Sequence, residues 1–181
     1  MQFINKTYSL FVLLLSCSLI TGCNKTIPAQ RSINLTLQKQ TLPLKKNNYL
    51  VKINNLTDDR SYKDNIGLFC GSEIIVNDLL GWIKNSFLAL ENDPTLSNNN
   101  KILLDISIKK LYVKNIPTSK TAIIVLQVDY LKNNNLSLSK IYRQQFTNVN
   151  WNCSNDEIVT LLNHVLKNII YDISNDLMVL I

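Results

Sequence analysis

The stretch that most limits the fold is SNDEIVTLLNHVLKNIIYDISNDL, residues 154–177. Ile158, Leu161, Leu162, Val165, Ile169, Ile173 and Leu177 recur at helical spacing and make one continuous apolar stripe. Ser154 and Glu157, three residues apart, spell a capping box, and Asp156 adds negative charge to the first turn. A long helix with one apolar stripe needs a partner surface, and the preceding residues offer a sheet. In KILLDISIKKLYV, Leu104, Ile106 and Ile108 alternate with polar residues. In KTAIIVLQVDYL, Ala122, Ile124, Leu126, Val128 and Tyr130 hold one face. KNNN then predicts a hairpin turn, because asparagine tolerates positive φ, and LSLSKIYRQQFTN returns as the last strand.

The first half is less sharply patterned. SINLTLQ alternates Ile33, Leu35 and Leu37, and NYLVKIN sets Tyr49, Val51 and Ile53 on one side, so both read as strands. The polar run NLTDDRSYKDNIG ends the second strand. From Ser72 to about Leu90, Ile75, Leu79, Trp82, Ile83, Leu88 and Leu90 predict a helix capped by Ser72, and Pro94 stops it. The expected architecture is α+β: a two-layer sandwich in which two helices pack on one face of a largely antiparallel sheet.

Upstream of the domain, residues 1–22 have the three parts of a secretory signal. Lys6 is the positive region, and Leu10 to Ile20 form an apolar run too short for a bilayer core of about 30 Å. LITGC then matches a lipobox, with small residues just ahead of Cys23. That pattern implies diacylglycerol on the Cys23 sulfur, cleavage before it, and acylation of the new amino terminus, giving the two-signal anchoring a single chain lacks. Asn24 replaces the Asp that holds enteric lipoproteins at the inner membrane, which points to the outer membrane. The expected organisation is a signal peptide over 1–22, a lipidated tether over 23–31, and a single domain over 32–181.

Of four cysteines, Cys17 leaves with the signal and Cys23 carries lipid, so Cys70 and Cys153 remain, in an oxidising compartment. Each precedes an expected helix. If the two helices run side by side in one direction, a disulfide forms between their starts. Two unpaired thiols, or a redox pair activated by helix N-termini, are the other readings.

In this order the chain resembles the YajG-type uncharacterised lipoproteins. The lipobox at Cys23 carries the resemblance, with Asp58, Asp59, Arg60, Ile66 and Gly67 after the second strand, and the C-terminal strands and helix ending in DISND. The resemblance implies an outer-membrane lipoprotein facing the periplasm, with no assigned activity. Similar small lipoproteins serve as accessory parts of lipid or lipopolysaccharide transport machines.

No chemistry-bearing motif stands out. His164 is the sole histidine and shares a helix face with Glu157, Thr160, Lys167, Asn168 and Tyr171, so it reads as solvated. No metal-ligand spacing, nucleophile elbow or phosphate loop occurs, and no cofactor or metal is expected. Asp58 and Asp59 beside Arg60 read as a solvated loop, and Trp82 and Trp151 as core residues. Net charge is +6, about +5 of it from Cys23 onward, dispersed without an arginine-rich run, which argues against nucleic acid. The strand over 121–131 is apolar on both faces, more than a one-sided sheet requires, and the chain ends in LMVLI. The favoured reading is therefore a non-enzymatic envelope protein that binds another protein or a lipid. The rival is a hydrolase or thiol-redox enzyme built around Asp58, Arg60, Cys70 and Cys153.

Overall fold

The computed structural model describes residues 27–36, 50–88, 90, 101–116, 118–149 and 153–179. The signal, the lipobox and the first part of the tether lie outside the described residues, as do Leu37, Tyr49, Pro94 and Trp151. The described elements are β1 (Ala29–Asn34), β2 (Leu50–Asp58), β3 (Gly67–Phe69), β4 (Ser72–Asn77), α1 (Leu79–Phe87), β5 (Lys101–Ile116), β6 (Ser119–Lys132), β7 (Asn135–Asn148) and α2 (Asn155–Val179). The fold is α+β, one mixed seven-stranded sheet with two helices. β1 opens at Ala29, within the stretch expected as tether.

The second half forms as its alternation dictates. β5, β6 and β7 make a long antiparallel meander, and the even positions Leu104, Ile106, Ile108, Ala122, Ile124, Leu126, Val128 and Tyr130 are buried. Asn133 and Asn134 take φ of 54° and 64° in the turn between β6 and β7, the primed geometry that matches strand twist. α2 lays its stripe on β6 and β7, and all seven stripe residues are at most 1% exposed. Its Ser154 hydroxyl accepts from the Glu157 amide at 3.3 Å, half of the expected box. The Glu157 carboxylate turns instead to Lys120, 2.8 Å away, and is buried. Glu157 thus departs from the solvated face on which spacing placed it. His164 is exposed there, its ring against Phe146.

Two expectations fail in the first half. The predicted helix over 72–90 is a strand, β4, followed by a shorter helix, α1. Ile74, Ile75 and Val76 form a β-branched run that prefers the pleated sheet, and Asp78 caps the helix by accepting from the Gly81 amide at 3.0 Å. The sheet is also less antiparallel than expected: β1 with β4, β2 with β5, and β3 with β5 are all parallel. Parallel neighbours need long crossovers, and these strands are joined by such segments rather than tight turns. α1 packs on β2 and touches α2. There Trp82 is buried, as expected, and donates to Asn163 Oδ1 at 3.1 Å, while Asn163 donates to the Thr36 carbonyl at 2.9 Å.

A buried polar chain crosses from sheet to α2. The hydroxyls of Tyr130 and Tyr142 bond one another, Tyr142 donates to Asp176, and Lys140 pairs with the same carboxylate at 2.6 Å. Burial pushes both phenols well above their ordinary range. They remain neutral donors, which is what an accepting carboxylate needs.

Candidate functional site

The topology leaves a gap at one edge of the long strand β5. β2 pairs along that edge as far as Ile108, and β3 pairs with it again from Val113. Between them β5 carries a bulge, where the register against β6 shifts between Ile108 and Lys110. The chain from Asp59 to Ile66 therefore bows away from the sheet and returns. Its ends are pinned by the Asp59 amide on the Ile108 carbonyl at 3.1 Å and the Val113 amide on the Ile66 carbonyl at 2.6 Å. The space enclosed is an open cleft of about 410 Å³, with Arg60, Ser61 and Tyr62 on the loop wall and Lys109, Lys110 and Tyr112 on the strand wall.

Gly67 makes this return. Its φ is +116°, and a Cβ would lie 2.3 Å from the Val113 carbonyl oxygen. Gly67→Ala combines backbone strain with that clash and should cost at least about 2 kcal/mol. Denaturant melting checks it: a midpoint equal to the wild type would show that the loop closes differently.

The charges around the cleft are ordered. Asp58 holds Arg60 in a bidentate pair, with Oδ1 accepting from Nε and Oδ2 from Nη2, both at 2.9 Å. Nη2 also donates to the Lys63 carbonyl at 3.3 Å. The Arg60 hydrogen bond holds the Asp58 carboxyl below its usual range. Asp59 is likewise lowered, first by the hydrogen bond from Lys109 at 2.9 Å. Arg60 is not solvated as its neighbours implied: only 7% of its side chain is exposed, and its Nη1 has no partner. Lys110 makes no ion pair or side-chain hydrogen bond among the described residues.

The cleft opens beside the sheet face that neither described helix covers. There Tyr112 pairs with Ile123, which in turn pairs with Gln145, and Lys110 pairs with Val125, which pairs with Arg143. Ile123 is buried although it lies off the main core face, while Ile141, opposite Gln127 and two rows further along the same face, is 64% exposed. The doubly apolar strand thus leaves a narrow apolar strip, with Lys110 and Arg143 beside it and Asp105 and Asp129 in the row beyond Ile141. At the C-terminal end, Leu177 is buried and Val179 exposed.

Of the residues singled out by sequence, the structure brings Asp58, Asp59 and Arg60 to this one place. Cys70 and Cys153 lie elsewhere. They are bonded, with sulfurs 1.99 Å apart, and join the β3–β4 turn to the start of α2. The parallel helix starts invoked for this pairing do not exist, since Cys70 precedes a strand. Lys109, Lys110, Tyr62 and Tyr112 were missed. A signal for them was present: the apolar positions shift from even to odd across Lys109–Lys110, from Ile106 and Ile108 to Leu111 and Val113, which is how a bulge reads. Among the described residues no three metal-ligating side chains cluster, and no helix is long and apolar enough to cross a membrane.

No protein-family model matches the sequence, and no curated protein does. Solved structures do match. A Xanthomonas campestris protein of the DUF330 family aligns over 83% of this chain and 96% of its own, with TM-score 0.58 and 8% identity. An uncharacterised protein aligns over 82% of this chain and 98% of its own, with TM-score 0.51 and 10% identity. At such identity the likeness is one of fold.

Proposed function

We propose that the chain is a lipoprotein of the cell envelope, fastened to the outer membrane through acyl groups on Cys23 and facing the periplasm. On this reading it acts there as a non-enzymatic binding or accessory component, with a YajG-like role. The observation that carries this is the bond between Cys70 and Cys153 in a chain whose leader ends in LITGC. A disulfide persists where thiols are oxidised, and a lipobox delivers a domain to such a compartment. The membrane is the first partner, and an envelope protein or a lipid the second. Metabolic labelling with a fatty-acid analogue should tag the wild-type chain in cells and fail with Cys23→Ala; equal labelling of both would overturn the anchor.

A narrower reading is an accessory part of a lipid or lipopolysaccharide transport machine. The sheet face that neither described helix covers favours it, because Tyr112 and Ile141 there lie beside Lys110 and Arg143, which offer an anionic amphiphile an apolar surface with cations next to it. The rival hydrolase or thiol-redox reading fits the site less well. The cleft's charged groups are all cations, and the two cysteines are tied to each other outside it.

A further inference from the structure

We propose that the cleft between the Asp59–Ile66 loop and the bulged edge of β5 binds the phosphate group of a phosphate ester. Arg60 and Lys110 are its cations, and Tyr62 and Tyr112 flank the esterified body. The inference deepens the binding reading above and rests on that reading, but not on the anchor at Cys23.

Every charged residue lining the cleft is a cation, although three aspartates lie within a few residues of Arg60. Asp58 occupies the Nε and Nη2 side of the guanidinium, and Asp59 engages Lys109. The carboxylates hold these side chains in place and stay out of the lining. Arg60 Nη1 is the donor left over, and a buried guanidinium N–H with no partner is costly unless something accepts from it. Lys110 supplies a second, unengaged cation from the opposite wall.

Three backbone amides where the loop rejoins the sheet are already engaged. The Gly67 amide donates to Asn65 Oδ1 at 2.9 Å, the Val113 amide to the Ile66 carbonyl, and the Ile66 amide to the Ile74 carbonyl at 2.8 Å. The side-chain donors an anion meets here are Arg60 Nη1 and the Lys110 ammonium. Donors on two facing walls suit a tetrahedral phosphate, whose free oxygens point in different directions, better than a planar carboxylate, which meets one wall. Tyr62 is 60% exposed and Tyr112 36%, so each offers a ring face and a hydroxyl to whatever the phosphate is attached to.

The test is amide-resolved NMR of the full chain in neutral detergent micelles, with three additions: inorganic phosphate, phosphatidylglycerol doped into the micelle, and diacylglycerol as the phosphate-free control. Shifts at Ser61, Tyr62, Gly67 and Lys110 with phosphate and with phosphatidylglycerol support the site and include lipid headgroups among its ligands. Shifts there with phosphate alone support it for soluble esters, and with phosphatidylglycerol alone for lipids. Lys110→Glu should weaken binding about tenfold or more, the size of one lost charge-assisted contact. Lys52→Glu, the same charge change on exposed β2, should leave it unchanged. No shift with any addition, shifts elsewhere, equal shifts with diacylglycerol, or equal losses from both variants would overturn the proposal.

Discussion

Replacing Cys70 and Cys153 together by alanine should lower stability by about 3–5 kcal/mol, and reduction of the wild type should do the same. The bond spans 83 residues of sequence, so cutting it frees a long loop in the unfolded chain. It also joins parts that little else connects. Cys70 sits in the two-residue turn between β3 and β4, with φ of 50° followed by Gly71 at 77°, and Cys153 stands just ahead of the cap of α2. Arg31 reaches the same point from β1, donating to the Cys153 carbonyl at 2.8 Å. In a domain of this size the loss amounts to roughly 10 °C in Tm. The comparison is denaturant unfolding with and without reductant. Coincident curves would mean that the bond contributes nothing, and the long-loop argument would fail.

The second large effect is predicted at Lys120. Its ammonium is 2.8 Å from Glu157, the two side chains are 4% and 6% exposed, and the Phe69 ring lies 4.9 Å from the nitrogen. Glu157 Oε1 has no partner, so the carboxylate leans on this one contact. Lys120→Met leaves a buried charge unpaired and should cost about 3–5 kcal/mol. Lys120→Met with Glu157→Leu removes both charges and should recover most or all of that loss, because the desolvation penalty goes with them. Equal stability of the single and double variants would show that the pair is not the buried unit described here.

Much of this architecture is written locally. β5, β6, β7 and α2 follow their periodicities residue by residue, down to the positive φ of Asn133 and Asn134 and the Ser154 cap. The segment over 72–90 could not be read this way. Ile74, Ile75, Val76 and Leu79 suit either a strand or a helix face over so few residues, and pairing with β1 and β3 decides between them. Glu157 shows the same limit. Its spacing to Ser154 suits a capping box, yet Lys120, 37 residues away, takes its carboxylate.

The site was legible only in its local half. Asp58, Asp59 and Arg60 stand together in sequence and Asp58 holds Arg60 locally, but Asp59 takes its partner Lys109 from β5, fifty residues on. That β2 and β3 share one edge of β5, and so open a gap at the bulge, is a property of the sheet and of no single stretch. The even-to-odd shift across Lys109–Lys110 marks the bulge, and nothing near it marks the loop that faces it.

The most direct measurement of the central claim is intact-mass spectrometry of the chain extracted from cell membranes without reductant. The account predicts a chain that begins at Cys23, carries the added mass of diacylglycerol and an amide-linked acyl group there, and is two hydrogens lighter than its reduced form. A chain that retains residues 1–22 without acyl groups, or that gains no mass on reduction, would contradict it.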